Sequence, residues 1–253
     1  MRAVLTFSSP DDIILPLSYN HLIQAFIYQN ISNLEMRQKL HDDGVKYEKR
    51  RLKFFTFSRL NGRFKIDNDL KKIRFSGPIS LTFSLYDKLE EKLGYDYFSD
   101  ILSNMMKNDN LYIGENKVTL SRLIPVKYEF SRSLYYIKMI SPILLYKSEI
   151  GHQTKFRKYV SPWDPEFNNL VIQNLHTKTE ALGMKLNKED FNITTLNREN
   201  STDGKIIGFK NFKFKAYYGT FKLQGEREII KLVYDSGIGA GNSAGFGCFD
   251  IIG

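Results

Sequence analysis

Residues 237–247 read Gly-Ile-Gly-Ala-Gly-Asn-Ser-Ala-Gly-Phe-Gly, two Gly-apolar-Gly motifs separated by five residues. Glycine adopts positive φ readily and lets a ligand or another segment approach the backbone closely, so clustered glycines mark sharp bends and phosphate-binding loops. Residues 226–234 before the loop show the apolar spacing of a helix, and residues 246–252 within and after it are apolar enough for a buried strand. The sequence therefore predicts a helix, a glycine-rich loop and a last strand.

The position of this loop argues against nucleotide cofactors. A dinucleotide fingerprint must open a helix and precede a strand with an acidic residue about 20 positions later, yet only nine residues follow Ala244. No Gly-Lys-Ser/Thr follows the glycines, as a P-loop requires. The alternative is a glycine-rich tail with no partner, which the apolar residues of the segment argue against. No zinc, two-metal or Gly-x-Ser-x-Gly spacing is present either, so we predict no cofactor and no metal site.

Composition indicates a folded chain with an anionic partner. The 253 residues are 42% hydrophobic and carry a net charge of +9. No apolar run approaches the roughly 18 residues of a membrane span, and the first residues do not resemble a signal peptide. Cys248, the single cysteine, excludes an internal disulfide. We therefore expect a cytoplasmic protein that does not bind membranes.

The positive charge is concentrated in two stretches. Residues 46–74 contain eleven Lys or Arg against three acidic residues, and residues 210–222 alternate lysines with aromatic residues. In a strand, Phe212 and Phe214 would face one side and contribute to a core. The other side, with Lys213, Lys215 and Tyr217, would form a surface for nucleic acid. An amphipathic strand with solvated lysines is the alternative.

Hydrophobic periodicity predicts the same order of elements in both halves of the chain. The predicted strands of the first half cover residues 2–7, 54–59, 79–83, 111–113 and 117–124, and its helices cover 20–31, 34–42 and 97–106. The second half has predicted strands at 134–140, 192–197, 206–209 and 212–223, besides the last strand, and a helix at 165–182, besides the helix before the glycine loop. Both orders fit β-α-β-β-α-β, the ferredoxin-like motif, which predicts an α+β protein with domains at 1–125 and 126–253. The polar segment 147–158 is predicted as a loop that is ordered only by a partner.

Three residues of the first half are candidates for chemistry. His41 lies at the end of the second predicted helix, before Asp42-Asp43, and histidine ordinarily titrates near neutrality, at about pH 6.5. Tyr28 projects away from the apolar stripe of the first helix, as a half-exposed ring or a hydroxyl presented to a ligand. Lys53 directly precedes an aromatic strand, where its ammonium would stabilise a charged phosphate.

These residues and the glycine motifs together resemble a known family. Gly-Ile-Gly and Gly-Phe-Gly near the C-terminus, residues 15–21 before a helix bearing Ile27-Tyr28, His41, and residues 53–58 are similar to the repeat-associated (RAMP) superfamily of CRISPR proteins. The resemblance extends over nearly the whole chain and is greatest to the endoribonucleases that cut precursor repeat RNA. It implies two tandem ferredoxin-like domains and metal-independent cleavage that leaves a 2′,3′-cyclic phosphate and a 5′-hydroxyl.

The resemblance also implies roles for individual residues. Tyr28 and His41 would share proton removal from the 2′-hydroxyl and donation to the 5′-oxygen, in an order that stays open, while Lys53 holds the phosphate. His21, at the start of the first helix, is the second choice for the active histidine; His152 and His176 complete the histidines. The residues expected to bind RNA are Lys49, Arg50, Arg51, Arg59, Lys213, Lys215, Gly237, Gly239, Gly241, Asn242, Ser243, Gly245 and Gly247.

One departure from the family concerns the glycine loop. Many relatives carry a basic residue there, whereas residues 240–244 contain none, so contacts with phosphate fall to backbone N–H groups or to Asn242 and Ser243. The implied partner is CRISPR repeat RNA, as precursor and as mature guide, with other CRISPR effector subunits and a homodimer as further candidates. The competing hypotheses are a non-catalytic RAMP subunit of an effector complex and a general module for single-stranded RNA.

Overall fold

Two antiparallel sheets, one in each half of the chain, form the framework of the computed structural model, which describes residues 1–151, 154–187, 191–199 and 204–253. The strands of the first half are β1 (Arg2–Ser8), β2 (Ile13–Pro16), β3 (Val45–Tyr47), β4 (Arg50–Leu52), β5 (Phe55–Phe57), β6 (Phe64–Asp67), β7 (Lys72–Phe75), β8 (Ile79–Leu85), β9 (Leu111–Ile113) and β10 (Asn116–Val126). Its helices are α1 (Asn20–Gln29), α2 (Leu34–Gln38), α3 (Leu89–Leu93) and α4 (Tyr97–Lys107), and a π-helical turn, Lys39–Asp43, extends α2.

The second half repeats this plan with fewer strands. Its strands are β11 (Leu134–Met139), β12 (Tyr146–Gly151), β13 (Thr154–Tyr159), β14 (Phe191–Thr195), β15 (Gly204–Phe209), β16 (Phe212–Tyr217), β17 (Thr220–Gly225) and β18 (Phe249–Ile251). Its helices are α5 (Phe167–Leu182) and α6 (Arg227–Ser236), and a short 3₁₀ turn, Asn242–Ala244, lies in the glycine loop. The predicted order of helix, glycine loop and last strand is confirmed.

Strand order shows that both sheets are ferredoxin-like. The first sheet runs β5-β8-β1-β10-β9 and the second β14-β17-β11-β18. In each, the first and third strands of the β-α-β-β-α-β motif occupy the centre, and every pair is antiparallel. The prediction of an α+β chain with two tandem ferredoxin-like units, here called the N-terminal and C-terminal domains, is confirmed. The domain boundary between residues 125 and 126 stays a prediction.

The core follows from alternation along the central strands. In β1, Ala3, Leu5 and Phe7 are fully buried, while the intervening Val4 and Thr6 are partly exposed. α1 covers this face with Ile23, and α4 with Ile101, both also fully buried. The apolar face of the sheet, on which every second residue of a strand is buried, thus packs against the apolar faces of the helices.

The two domains share a buried seam. The sequence predicted one apolar side for α6, but the helix is buried from Leu232 to Ser236 because it packs against β17 of its own sheet and against β5 and β8 of the N-terminal domain. The Arg2 guanidinium of β1 crosses the same seam and donates hydrogen bonds to the carbonyl oxygens of Phe249 and Tyr234, each at 2.7 Å. Arg2 is 2% exposed, so its hydrogen bonds link the two domains within their buried interface.

Several predicted elements differ from the structure. The segment 147–158 was expected as a loop, but its described residues lie on the paired strands β12 and β13. These strands pack against the β15–β16 hairpin through Arg157 and Phe212. Residues 212–223 form two strands, because β16 pairs with β15 outside the sheet whereas β17 pairs inside it. The short strands β2, β3, β4, β6 and β7 were not predicted. Much of the basic stretch 46–74 lies on them, in the β3–β4 hairpin and in the small sheet β2-β7-β6. No described helix is long and apolar enough to cross a bilayer.

Candidate active site and RNA interface

Tyr28, His41 and Lys53 lie together in the structure. The ring centroids of Tyr28, in α1, and His41, in the π-helical turn, are 4.9 Å apart. Lys53, which precedes β5, donates a hydrogen bond from Nζ to the His41 carbonyl oxygen at 2.6 Å. Residues that are 13 and 12 positions apart in the chain therefore form one cluster, and the tertiary structure makes the convergence that the sequence only implied.

Tyr28 is more buried than the sequence suggested. The helical wheel of α1 predicted either a half-exposed ring or a hydroxyl presented to a ligand. Tyr28 is 6% exposed, because its ring packs edge-on against Phe55 of β5 at 5.7 Å. Burial raises the pKa of the Tyr28 hydroxyl well above its ordinary value, and the Asp42 carboxylate adds to the shift. The phenol therefore keeps its proton at neutral pH, which suits a hydrogen-bond donor and not a base.

His41 is held by the acidic residue that follows it. The sequence predicted one helix over residues 34–42, but the helix changes to a π-helical turn after Gln38, a local widening that is frequent at functional sites. His41 Nδ1 and Asp42 Oδ1 are 2.7 Å apart. This hydrogen bond is the main cause that lowers the pKa of Asp42, so the carboxylate stays ionised and orients an exposed imidazole.

Lys53 reaches His41 because the chain turns back sharply after the π-helical turn. Gly44 has φ +57°, and a Cβ there would lie 2.4 Å from the Leu52 carbonyl oxygen and 3.0 Å from Lys53 Cδ. Only glycine permits this approach of β4 to the turn. Burial lowers the pKa of Lys53 to about 8, with Arg51 adding to the shift and Asp42 opposing it. The ammonium is thus partly desolvated beside the His41 backbone carbonyl.

The other histidines are placed differently. His21, in the first turn of α1, lies within 2.8 Å of the Ser18 carbonyl oxygen through Nδ1 and lines the same pocket as Tyr28 and His41. His176 lies on α5, beside Glu180, and His152 is outside the described residues. Within the described ranges, no group of three or more His, Cys, Asp or Glu side chains is arranged to hold a metal ion.

A basic cleft of about 550 Å³ separates the two domains beside this cluster. Arg50, Arg51 and Lys53 line its N-terminal side, and residues 239–243 of the glycine loop line the other. Arg50 Nη1 donates to Thr177 Oγ1 at 3.2 Å, and Arg51 Nη1 donates to the Asp42 carbonyl oxygen at 2.9 Å. Lys49 is exposed in the turn between β3 and β4. Three of the predicted RNA-binding cations, Lys49, Arg50 and Arg51, thus lie at or beside one concave surface, together with Lys53, which was predicted as catalytic.

Arg59 is engaged within the N-terminal domain. Its guanidinium carbon lies 3.8 Å from the Tyr19 ring centroid, and its nitrogens donate to Asn20 Oδ1 and to the Leu17 carbonyl oxygen. These contacts hold the start of α1 in place. The structure therefore gives Arg59 an internal positioning role, and its donors are directed to the protein.

The glycine loop is packed into the seam between the domains. Gly237, Gly239, Gly245 and Gly247 are buried, and all have positive φ. A Cβ on Gly245 would lie 2.4 Å from Phe57 Cε2 of the N-terminal domain. Gly237, Gly245 and Gly247 do not line the cleft, which corrects the expectation that they contact RNA, whereas Gly239 still lines it. Their lack of a side chain serves close packing instead.

Side chains of the N-terminal domain fasten this loop. The Asn20 amide donates to the Ala244 carbonyl oxygen at 2.8 Å, the Gln24 amide to the Ser243 carbonyl oxygen at 2.7 Å, and Thr56 Oγ1 to the Phe246 carbonyl oxygen at 2.9 Å. Gly241 is exposed and Ser243 partly exposed. Of the predicted loop contacts, Gly239, Gly241, Asn242 and Ser243 line the cleft.

A buried lysine that the sequence analysis missed donates hydrogen bonds to the glycine loop. Lys178 of α5 is 6% exposed, and its Nζ donates to the Gly237 carbonyl oxygen at 2.6 Å, to Asn242 Oδ1 at 2.8 Å and to Ser236 Oγ at 3.3 Å. Burial lowers its pKa to about 7. The signal in the sequence was its spacing, because Val171, Leu175, Lys178 and Leu182 share one helical face.

Asn242 is occupied by the loop itself. Besides accepting from Lys178, its amide donates to the carbonyl oxygens of Ile238 and Phe246, each at 3.1 Å. This side chain spans the loop and cannot turn to a phosphate without breaking those bonds, which corrects its expected role as a ligand.

The second basic stretch forms the exposed β15–β16 hairpin. Lys213 and Lys215 are exposed as predicted, but Phe212 is 56% exposed whereas Tyr217 is buried. Phe212 and Phe214 do share one side of the strand, as predicted, and Phe214 packs against buried residues, but Phe212 lies outside the core and Tyr217 inside it. The Arg157 guanidinium of β13 lies 5.6 Å from the ring centroids of both Phe212 and Phe214, so cations and aromatic rings share one surface.

Comparison with known proteins places the chain in a family. The family model described as CRISPR associated protein Cas6, C-terminal, matches residues 123–251, just over half of the chain. The chain belongs to the Cas6 family. A curated relative, CRISPR-associated endoribonuclease Cas6 1 from Methanocaldococcus jannaschii, is 25% identical over 98% of this chain and 91% of the relative. The resemblance read from the sequence is confirmed.

Solved structures extend the match with the Cas6 family to the whole fold. The structure described as a Cas6-related gene from Pyrococcus furiosus has a TM-score of 0.81 and 21% identity, covering 100% of this chain and 98% of that one. A structure described as a RAMP protein binding different RNA substrates has a TM-score of 0.78 and 21% identity, covering all of both chains. Both ferredoxin-like units thus have counterparts in known Cas6 and RAMP structures.

Proposed function

We propose that this member of the Cas6 family is an endoribonuclease that cuts within CRISPR repeat RNA and produces mature guide RNA. The observation that carries the proposal is the convergence of Tyr28, His41 and Lys53 next to a basic cleft. A curated relative at 25% identity is named as a CRISPR-associated endoribonuclease. These residue types supply a proton-transfer group, a hydrogen-bond donor and a cation for a phosphodiester.

The proposed reaction is a metal-independent transesterification. The 2′-oxygen attacks the adjacent phosphorus and loses its proton, the P–O5′ bond breaks, and the 5′-oxygen gains a proton. The products are a 2′,3′-cyclic phosphate and a 5′-hydroxyl. His41 takes part in proton transfer through Nε2, because its Nδ1 is hydrogen-bonded to Asp42.

Tyr28 and Lys53 have supporting roles in this mechanism. Burial keeps the Tyr28 hydroxyl protonated, so it donates a hydrogen bond to the RNA and does not remove a proton. Lys53 stabilises the negative charge that develops on the phosphate, and partial burial strengthens this interaction because less water competes for it. The exposed cations Lys49, Arg50 and Arg51 guide the RNA backbone along the cleft.

The proposal is tested with repeat RNA from the organism that encodes the chain, incubated in EDTA with the wild type, with His41→Ala and with His176→Ala as the matched histidine control. We expect the wild type and the control to cut at one position and His41→Ala to lose between about 10²- and 10⁴-fold in rate. The downstream product should accept a 5′-label from polynucleotide kinase without phosphatase treatment, as a 5′-hydroxyl does.

Uncut RNA with the wild type, or equal cutting by the wild type and His41→Ala, would contradict the mechanism. Tight binding without cutting would instead indicate a non-catalytic RAMP subunit. Association with other CRISPR effector subunits, homodimerisation and a cytoplasmic location stay predictions from the sequence.

A further inference from the structure

The pocket beside Tyr28 contains a second histidine. It has a volume of about 230 Å³, and His21, Tyr28 and His41 line it together with Arg37 and Lys210. His21 and Tyr28 are seven residues apart in α1, which is about two helical turns, so both project from the same side of the helix. Lys210 comes from the turn of the β15–β16 hairpin, whose Phe209 ring also touches His21 at a centroid distance of 6.4 Å.

Both imidazoles are held by one nitrogen only. His21 Nδ1 lies 2.8 Å from the Ser18 carbonyl oxygen, and a carbonyl only accepts, so Nδ1 carries the proton and donates it. His41 Nδ1 is bonded in the same way to Asp42 Oδ1 at 2.7 Å. Neither Nε2 has a hydrogen-bond partner among the described residues. Each ring is thus oriented by Nδ1 and has Nε2 available for proton transfer.

The proposed transesterification needs two proton-transfer groups, a base for the 2′-hydroxyl and an acid for the 5′-oxygen. Tyr28 does not supply the base, because its buried hydroxyl keeps the proton at neutral pH. Imidazole is the side chain that ordinarily titrates in the working range, and paired histidines in opposite protonation states provide both functions.

We propose that His21 is a further catalytic residue, the general base that removes the 2′-hydroxyl proton, and that His41 is the general acid. This inference rests on the proposed function. His21 Nε2 accepts the proton of the 2′-hydroxyl as the O2′–P bond forms, and His41 Nε2 gives its proton to O5′ as the P–O5′ bond breaks. The two rings return to their starting states by exchanging protons with water.

The charges around the pocket determine which histidine has which role. His21 lies at the N-terminus of α1, where the helix dipole disfavours a positive charge. Arg37 and Lys210 line the pocket together with both histidines, and Lys53 Nζ is bonded to the His41 carbonyl oxygen, so these three cations do not distinguish the two rings. His41 alone is bonded to a carboxylate, that of Asp42, which stabilises an imidazolium. The base is therefore assigned to His21 and the acid to His41, whose imidazolium Asp42 would pair.

The test compares His21→Asn with His41→Asn. The asparagine amide can replace Nδ1 and keep the bond to the Ser18 carbonyl or to Asp42, so orientation and packing change little while the titrating group is lost. His176→Asn, on α5 and away from the pocket, is the matched control. We expect each pocket variant to lose between about 10²- and 10⁴-fold in single-turnover cleavage, with RNA affinity within about 3-fold of the wild type.

The pH profile separates catalysis from positioning. Wild-type cleavage should give a bell-shaped profile, His21→Asn should lose the limb on the acidic side, and His41→Asn the limb on the basic side. His21→Asn that cuts within about 3-fold of the wild type, or that loses affinity as much as rate, would overturn the proposal. A wild type that does not cut would instead refute the proposed function.

A modified substrate tests the direction of proton transfer. Repeat RNA with sulfur in place of the scissile 5′-oxygen leaves as a thiolate and needs no acid. We expect this substrate to restore cutting by His41→Asn and not by His21→Asn. Rescue of His21→Asn, or of both variants, would overturn the assignment of His21 as the base.

Discussion

The interpretation of the glycine loop as a seam between domains leads to a quantitative prediction for Gly245→Ala. Gly245 has φ +82°, and an added Cβ would lie 2.4 Å from Phe57 Cε2 and 2.7 Å from Asn20 Nδ2. The left-handed backbone costs a non-glycine residue about 1–2 kcal/mol. Phe57 is 1% exposed, so its ring has little room to yield, and overpacking adds about 1–3 kcal/mol. The expected loss of unfolding free energy is about 2–5 kcal/mol.

Gly183→Ala is the matched control. Gly183 has φ +70° at the end of α5, and nothing lies within 4 Å of its added Cβ, so only the backbone cost of about 1–2 kcal/mol applies. Urea denaturation of both variants measures the difference. Equal losses would refute the packing argument, because the loop would then have room to relax. A Gly245→Ala variant as stable as the wild type, with weaker RNA binding, would restore the loop as an RNA contact.

Three further predictions concern buried groups. Arg2→Met should cost at least about 1–3 kcal/mol, since it leaves the buried Phe249 carbonyl oxygen without its donor and the Tyr234 carbonyl oxygen with only the longer bond from Ser84 Oγ at 3.3 Å; a loss below about 1 kcal/mol in thermal melting would contradict a role of Arg2 in joining the domains. Lys178 has a native pKa of about 7 against 10.5 for an ordinary lysine, so the unfolded state binds the extra proton between these values, and wild-type stability should rise with pH relative to Lys178→Met by up to about 1.4 kcal/mol per pH unit. Parallel curves of unfolding free energy against pH for the wild type and Lys178→Met would contradict the lowered pKa of Lys178 in the folded state. Tyr28→Phe should slow cleavage less than His41→Asn does and leave both limbs of the pH–rate profile in place, because the hydroxyl stays protonated; loss of a limb would show that Tyr28 titrates during catalysis.

Local pattern was enough to predict most of the fold. The alternation of residues 2–7 predicted β1, and the spacing of Ile23, Phe26 and Ile27 predicted α1, because both periods are properties of a single segment. The hairpin β12–β13 escaped prediction for the same reason. Its polar residues 147–158 have no apolar face of their own, and the strands are stabilised by contacts with the β15–β16 hairpin.

The residues of the candidate site could be predicted from the sequence, but their burial and contacts could not. The resemblance to RAMP endoribonucleases pointed to Tyr28, His41 and Lys53, and the structure brings them together. The burial of Tyr28 depends on Phe55, which comes from another element, so no helical wheel of α1 shows it. The placement of His21 in the same pocket depends on the packing of α1 against the π-helical turn and the β15–β16 hairpin.

The sequence by itself determined two β-α-β-β-α-β units, a basic chain and a glycine loop between the last helix and the last strand, since each follows from residue type and short-range spacing. Only the tertiary structure decided what the glycines do. Their positive φ was foreseeable, but Gly245 faces Phe57 and Gly247 faces the Ile238 carbonyl oxygen. Because burial depends on which surfaces meet, a motif that looked like a phosphate cradle is mostly a packing surface, which joins the glycine loop to α1 and β5 of the N-terminal domain beside the cleft.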